Sequence, residues 1–163
     1  MPEKTLTIEQ VLTMLAQTPP RITAFTADLL PDQLRTAPNE GEWSANDVLA
    51  HLRSCADMWG NCIAAILAED HPTIRAVNPR TWVKHTDYPE LEFGPSFHSF
   101  AAQRAALLAL LEPLPHESWS RGATVTGAGK VLERTVFFYA RWLAQHEQAH
   151  IKQIGRIAKA MQA

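Results

Sequence analysis

Apolar residues recur at helical spacing along four long stretches of this chain, and no stretch of useful length alternates as a strand would. The first opens at Leu6-Thr7-Ile8-Glu9-Gln10-Val11, with Thr7 as N-cap, Gln10 as its capping-box partner and Leu6 stapled onto Val11. Thr18-Pro19-Pro20 predicts a stop near Gln17 and a second helical piece to about Leu30, striped by Ile22, Phe25, Thr26 and Leu29. Pro31 to Glu42 reads as a turn-rich connector.

The sharpest start signal is Glu42-Trp43-Ser44-Ala45-Asn46-Asp47-Val48, where Ser44 caps, Asp47 stands at N3 and Trp43 faces Val48. Its helix, to about Glu69, carries the stripe Val48, Leu52, Cys55, Trp59, Ile63 and Ile66, with His51 on the border. Asp70 to Gly94, punctuated by Pro72, Pro79 and Pro89, predicts a long crossover, whose Trp82, His85, Asp87 and Tyr88 are candidate pocket walls. Phe97, Phe100, Ala101, Arg104, Leu107, Leu108 and Leu111 give a third helix ended by Pro113 and Pro115; Arg104 and His98, beside its inner face, read as exposed or salt-bridged. Ser118 to Lys130 reads as a loop or short extended piece, and a fourth helix runs from about Val131 to Ala160. The expected fold is all-α, a single domain over residues 1–163: a four-helix bundle with a long crossover between helices 2 and 3.

Chemistry concentrates in the last helix. His146-Glu147-Gln148-Ala149-His150 puts two imidazoles at i and i+4, on one face and able to share a metal ion. That face also carries Leu143, Ile154, Ile157 and Met161, while Arg141, Gln145, Gln148, Lys152, Arg156 and Lys159 take the other. Glu147 points into the apolar half as well. Three buried polar groups need a shared partner, since each left unpaired costs about 1–3 kcal/mol. A metal is one such partner; a hydrogen-bonded buried network or a wet helix edge is the plainer alternative. His51 is the natural third ligand, with Asp47 one turn before it able to fix its tautomer and Cys55 one turn after it. Cys55 could add a soft ligand, although a buried structural thiol accounts for it equally simply.

Composition narrows the function classes. At 163 residues the chain needs no disulfide staple, and Cys55 and Cys62, seven positions apart on one helix, lie beyond disulfide reach. Free thiols and the absence of a signal-like N-terminus or an 18-residue apolar run point to a cytoplasmic protein outside the membrane. Fifteen basic against 17 acidic residues, without a basic block, exclude a nucleic-acid footprint. A zincin protease would share the H-E-x-x-H signature and use Glu147 as general base. Residues 151–163, however, hold no His, Asp, Glu or Cys for a downstream third ligand, which leads back to His51.

Gly41-Glu42-Trp43-Ser44, Asp47-Val48-Leu49-Ala50-His51-Leu52 and His146-Glu147-x-x-His150-Ile151-x-Gln153-Ile154, in this order, resemble the DinB-like (DinB/YfiT) superfamily of metalloenzymes. The resemblance covers essentially the whole chain. It implies a four-helix bundle, often a homodimer, that binds a divalent ion through His51, His146 and His150; ligation by nitrogen alone suits Zn, Ni or Fe. It also implies the reaction class expected here: a thiol-dependent transferase or isomerase in which the ion activates a low-molecular-weight thiol co-substrate toward a small-molecule electrophile, with Glu147 as the catalytic carboxylate. A hydrolase that activates water, and a non-catalytic metal-binding stress protein, are the alternatives.

Overall fold

A computed structural model describes residues 5–163. The four long helices are α1 (Ile8–Thr26), α3 (Ala45–Ala68), α5 (Phe93–Leu111) and α6 (Val136–Gln162). Two short helices, α2 (Pro31–Arg35) and α4 (Pro79–Trp82), lie in the connections. Each of α1 and α3 packs against both α5 and α6, so the bundle closes on itself. Among the described residues no helix is long and apolar enough to cross a membrane.

Both expected capping boxes form: Thr7 with Gln10 opens α1 and Ser44 with Asp47 opens α3. The Pro19-Pro20 break does not. α1 runs through both prolines as one helix, for a reason that lies outside its own sequence. Pro19 has no N–H for the carbonyl of Leu15 four residues earlier, which would leave a buried acceptor unpaired. Arg104 of α5 fills that place, its Nη1 donating to Leu15 O at 2.9 Å. The carbonyl freed by Pro20 belongs to Ala16, on the exposed face, where water can serve it.

A second difference is a three-stranded sheet of β1 (Thr73–Arg75), β2 (Gly122–Ala128) and β3 (Lys130–Thr135), in the order β1-β2-β3. β1 runs parallel to β2 and β2 antiparallel to β3. Residues 131–135, expected in the last helix, thus belong to the strand Lys130–Thr135, and α6 starts only at Val136 with Thr135 as its cap. The hairpin turn explains it: Gly127 and Gly129 have φ of +85° and +89°, which side chains rarely tolerate, and they fold β3 back onto β2. β2 does carry a short alternating signal, since Ala123 and Val125 are buried and their neighbours are not.

The apolar core falls into two clusters. One holds Leu15, Ile63, Ile66, Leu111 and Leu143; the other holds Ile22, Leu49, Leu52, Phe100, Ile151 and Ile154. Between them each of three helices contributes a buried polar residue: Thr18 on α1, Arg104 on α5 and Glu147 on α6. Arg104 grips Glu147 with two hydrogen bonds, Nη1 to Oε1 at 2.9 Å and Nη2 to Oε2, and Thr18 Oγ1 donates to Oε1 at 2.8 Å. A bidentate pair of this kind satisfies both charges in a dry setting. It fixes the rotation of α6 about its axis, and therefore the direction in which its histidines point.

Two residues of α3 hold the crossover: Asn46, whose Nδ2 donates to Pro89 O and Leu91 O, and Asp57. Asp57 accepts from Tyr88 Oη at 2.6 Å, Gln103 Nε2 at 2.6 Å and Trp82 Nε1 at 3.1 Å, and the Arg53 guanidinium lies over the Tyr88 ring. Trp82 and Tyr88 are anchors, not pocket walls. Asp57→Ala leaves three donors without their acceptor, and at about 1 kcal/mol per hydrogen bond it should cost some 1–3 kcal/mol. The expected readout is faster trypsin cleavage after Arg80 and Lys84, with the bundle helices still protected.

Candidate metal centre

The two motifs meet where α3 crosses α6. The His51, His146 and His150 rings gather with centroids 4.6–5.2 Å apart, and His51 Nε2 lies 3.4 Å from His146 Nε2. Local sequence dictates this. His146 and His150 share a face through their i, i+4 spacing, and His51 comes one turn after Asp47 of the cap that starts α3.

Aromatic rings shape the surroundings. Trp43, whose position before the Ser44 cap predicted only a staple, packs at 5.3 Å from His51 and stacks along His150 at 6.4 Å. Trp59 stands edge-on to His146 at 5.1 Å. Gln153 Oε1 lies 2.9 Å from His150 Nδ1; accepting a proton there leaves Nε2 as the free lone pair. Gln153 sits one turn beyond His150, and that i+3 spacing is the signal that could have found it. Asp47 does not serve His51 in this way, because its Oδ2 accepts from Ser44 N–H at the helix cap.

Burial pushes His51 and His146 down to about 4 from the usual 6.5, helped by the neighbouring imidazoles and, for His51, by Arg80. Both rings are therefore neutral at physiological pH, the state a metal requires. His146 Nδ1 is buried with no hydrogen-bond partner. A half-buried cluster of imidazoles, two of them held neutral and with their Nε2 atoms facing each other, fits a divalent cation seated between them. The ligand atoms of His51, His146 and Cys55 also lie within 4.8 Å of one another.

Glu147 is not turned toward the imidazoles in this way. Both of its oxygens are taken by Arg104 and Thr18, and the side chain is fully buried. Arg104, read from sequence as exposed or salt-bridged, is 2% exposed and salt-bridged. Two clefts flank the cluster: one of about 630 Å³ reaches His150, Gln153 and Arg156, and one of about 250 Å³ reaches His51, Asp47 and Val83. Trp43 and Arg80 line both.

A family model for the DinB superfamily matches residues 14–154. The chain belongs to the DinB superfamily. Among curated proteins it is similar to a putative metal-dependent hydrolase of Geobacillus kaustophilus (strain HTA426), at 24% identity over 158 residues, covering 93% of this chain and 84% of the relative. A putative metal-dependent hydrolase of Geobacillus thermodenitrificans (strain NG80-2) is 24% identical over 152 residues, covering 88% and 82%. Among solved structures, YfiT from Bacillus subtilis, described as a probable metal-dependent hydrolase with an unusual four-helix bundle topology, superposes with a TM-score of 0.75 at 22% identity. That superposition covers 99% of this chain and 93% of YfiT. At such identity the likeness establishes the fold, and the four-helix bundle expected from the helix pattern is the fold of this DinB protein.

Proposed function

We propose that this DinB protein is a divalent-metal enzyme that directs a small nucleophile, first of all an acidic low-molecular-weight thiol, at a small electrophile. One observation carries the reading: three imidazoles converge between two clefts that share Arg80 and Trp43. An ion held by His51, His146 and His150 supplies a Lewis acid that lowers the pKa of a thiol or water it binds. The protein does the rest. Two clefts offer separate seats for two reactants, which suits group transfer. Arg80 overlooks both clefts and Arg156 one of them, and neither has an ion-pair partner among the described residues. Their guanidinium groups suit carboxylate or phosphate recognition. Trp43 stacks along His150 and gives the larger cleft an apolar wall beside that ring. Glu147 acts here as a positioning residue for α6, because both of its oxygens accept from Arg104 or Thr18.

A second reading, water in place of the thiol, is favoured by the names of the Geobacillus relatives, each a putative metal-dependent hydrolase. Zinc- or nickel-loaded protein decides between them when given an aryl halide with and without glutathione, and an activated ester without thiol. Turnover that requires both metal and thiol supports transfer; ester turnover without thiol supports hydrolysis; neither, in metal-loaded protein, overturns the enzyme reading. Arg80→Gln should raise KM for glutathione about 10- to 100-fold, the loss of a charge-assisted contact worth about 1.5–3 kcal/mol. For uncharged 2-mercaptoethanol the same variant should leave KM unchanged.

A further inference from the structure

Two chelating pairs face each other at the α3–α6 contact. His146 and His150 stand one turn apart on α6, and on α3 the residue one turn beyond His51 is Cys55. Cys55 is fully buried, and its Sγ lies 3.6 Å from His51 Nε2. His51 Nε2 is in turn 3.4 Å from His146 Nε2, and the three ligand atoms fall within 4.8 Å of one another.

Two of these separations match the edges of a coordination polyhedron. With Zn–N of about 2.05 Å and Zn–S of about 2.3 Å, tetrahedral angles put two nitrogens about 3.4 Å apart and a nitrogen and a sulfur about 3.6 Å apart. Both edges at His51 therefore already have the lengths that ligation gives. A thiol–imidazole hydrogen bond has the same length, so it is the approach of His146 to this pair that points to a shared ion. A hydrophobe at this position would fill the same space.

We infer that Cys55 is a direct ligand of the ion, completing with His51 and His146 a mixed nitrogen and sulfur set beside His150. The inference rests on the reading of the imidazole cluster as a metal centre and adds to it a donor that three histidines alone would lack. On ligation the Sγ proton leaves to water and the sulfur binds as thiolate. A soft thiolate turns the site away from magnesium, calcium and manganese and toward zinc, nickel and cobalt. It also anchors the ion from the buried side, which leaves the His150 side to the larger cleft.

The test is cobalt(II) titration of the full-length metal-free protein, read by absorbance. Wild type should show the near-ultraviolet sulfur-to-cobalt charge-transfer band together with visible d–d bands. Cys62→Ser should keep both. Cys55→Ser should lose the charge-transfer band and keep d–d bands. Its zinc affinity should fall by at least the roughly 10- to 100-fold that loss of an outer partner costs. The wild-type spectrum needs no variant to fold, and far-ultraviolet circular dichroism checks the variants. Cobalt bound with d–d bands but no charge-transfer band in wild type, or a band that survives Cys55→Ser, overturns the role of Cys55 and leaves the imidazole centre standing. No bound cobalt overturns both.

Discussion

Arg104→Met should destabilise the protein by about 3–5 kcal/mol, because it strands the fully buried Glu147 carboxylate without its counter-ion. The same substitution removes the donor that serves Leu15 O, the carbonyl freed by Pro19, so α1 loses its support at the proline step. At about 2–4 °C per kcal/mol for a domain of this size, Tm should fall by about 10 °C or more. Glu147→Leu in the same chain removes the stranded charge. The double variant should therefore be more stable than Arg104→Met alone, as apolar replacements of buried ion pairs often are. The comparison also separates the two roles open to Glu147. If it only positions α6, the refolded double variant keeps most of its metal affinity and turnover; if it handles a proton, turnover is lost while zinc still binds. A Tm within 2 °C of wild type for Arg104→Met would mean that the ion pair contributes little to the fold.

That network also marks the boundary of what sequence pattern can reveal. The helix wheel of α6 placed Glu147 correctly among apolar neighbours, but a wheel gives the face of a residue and not its partner. The partner stands 43 positions earlier on α5, on a residue whose own wheel position was borderline. The Pro19-Pro20 step was misread for the same reason. Proline is excluded from helix interiors because a carbonyl goes unpaired, and whether a distant guanidinium repairs that is a tertiary fact. The start of α6 was misplaced because Val131, Leu132 and Val136 satisfy helical and strand spacing equally over so short a run, and Gly127 and Gly129 declare the hairpin only when read as a turn. The capping boxes of α1 and α3 and the inward direction of His146 and His150 were legible because each depends on residues three or four positions apart. Convergence of His51 on the α6 pair was inferable from its place on the stripe, whereas the approach of Cys55 depends on helix rotation, and the crossover wall at Arg80 depends on Asp57, Trp82 and Tyr88.

Zinc or nickel at 100 times its Kd should raise Tm by about 5–10 °C, since binding to the native state alone contributes about 2.7 kcal/mol at that concentration and each kcal/mol is worth about 2–4 °C. EDTA should reverse the shift, and His146→Ala should abolish it, because that ring supplies one corner of the three-imidazole cluster and its Nε2 faces that of His51. The metal-free protein should carry a pH signature of the same two rings. His51 and His146 titrate at about 4 in the folded chain against 6.5 when unfolded. Between those values the unfolded chain binds more protons, so stability is full above pH 6.5 and declines as the pH falls toward 4. The rings are half-buried, and solvent screening moderates the size of the effect without changing its sign. His51→Ala/His146→Ala, measured by denaturant melts from pH 7 to 4.5, should therefore show a shallower decline than wild type. An equal or steeper decline would mean that these imidazoles are not held neutral by their surroundings. Protons would then compete with a cation for these lone pairs up to the pH of an ordinary histidine.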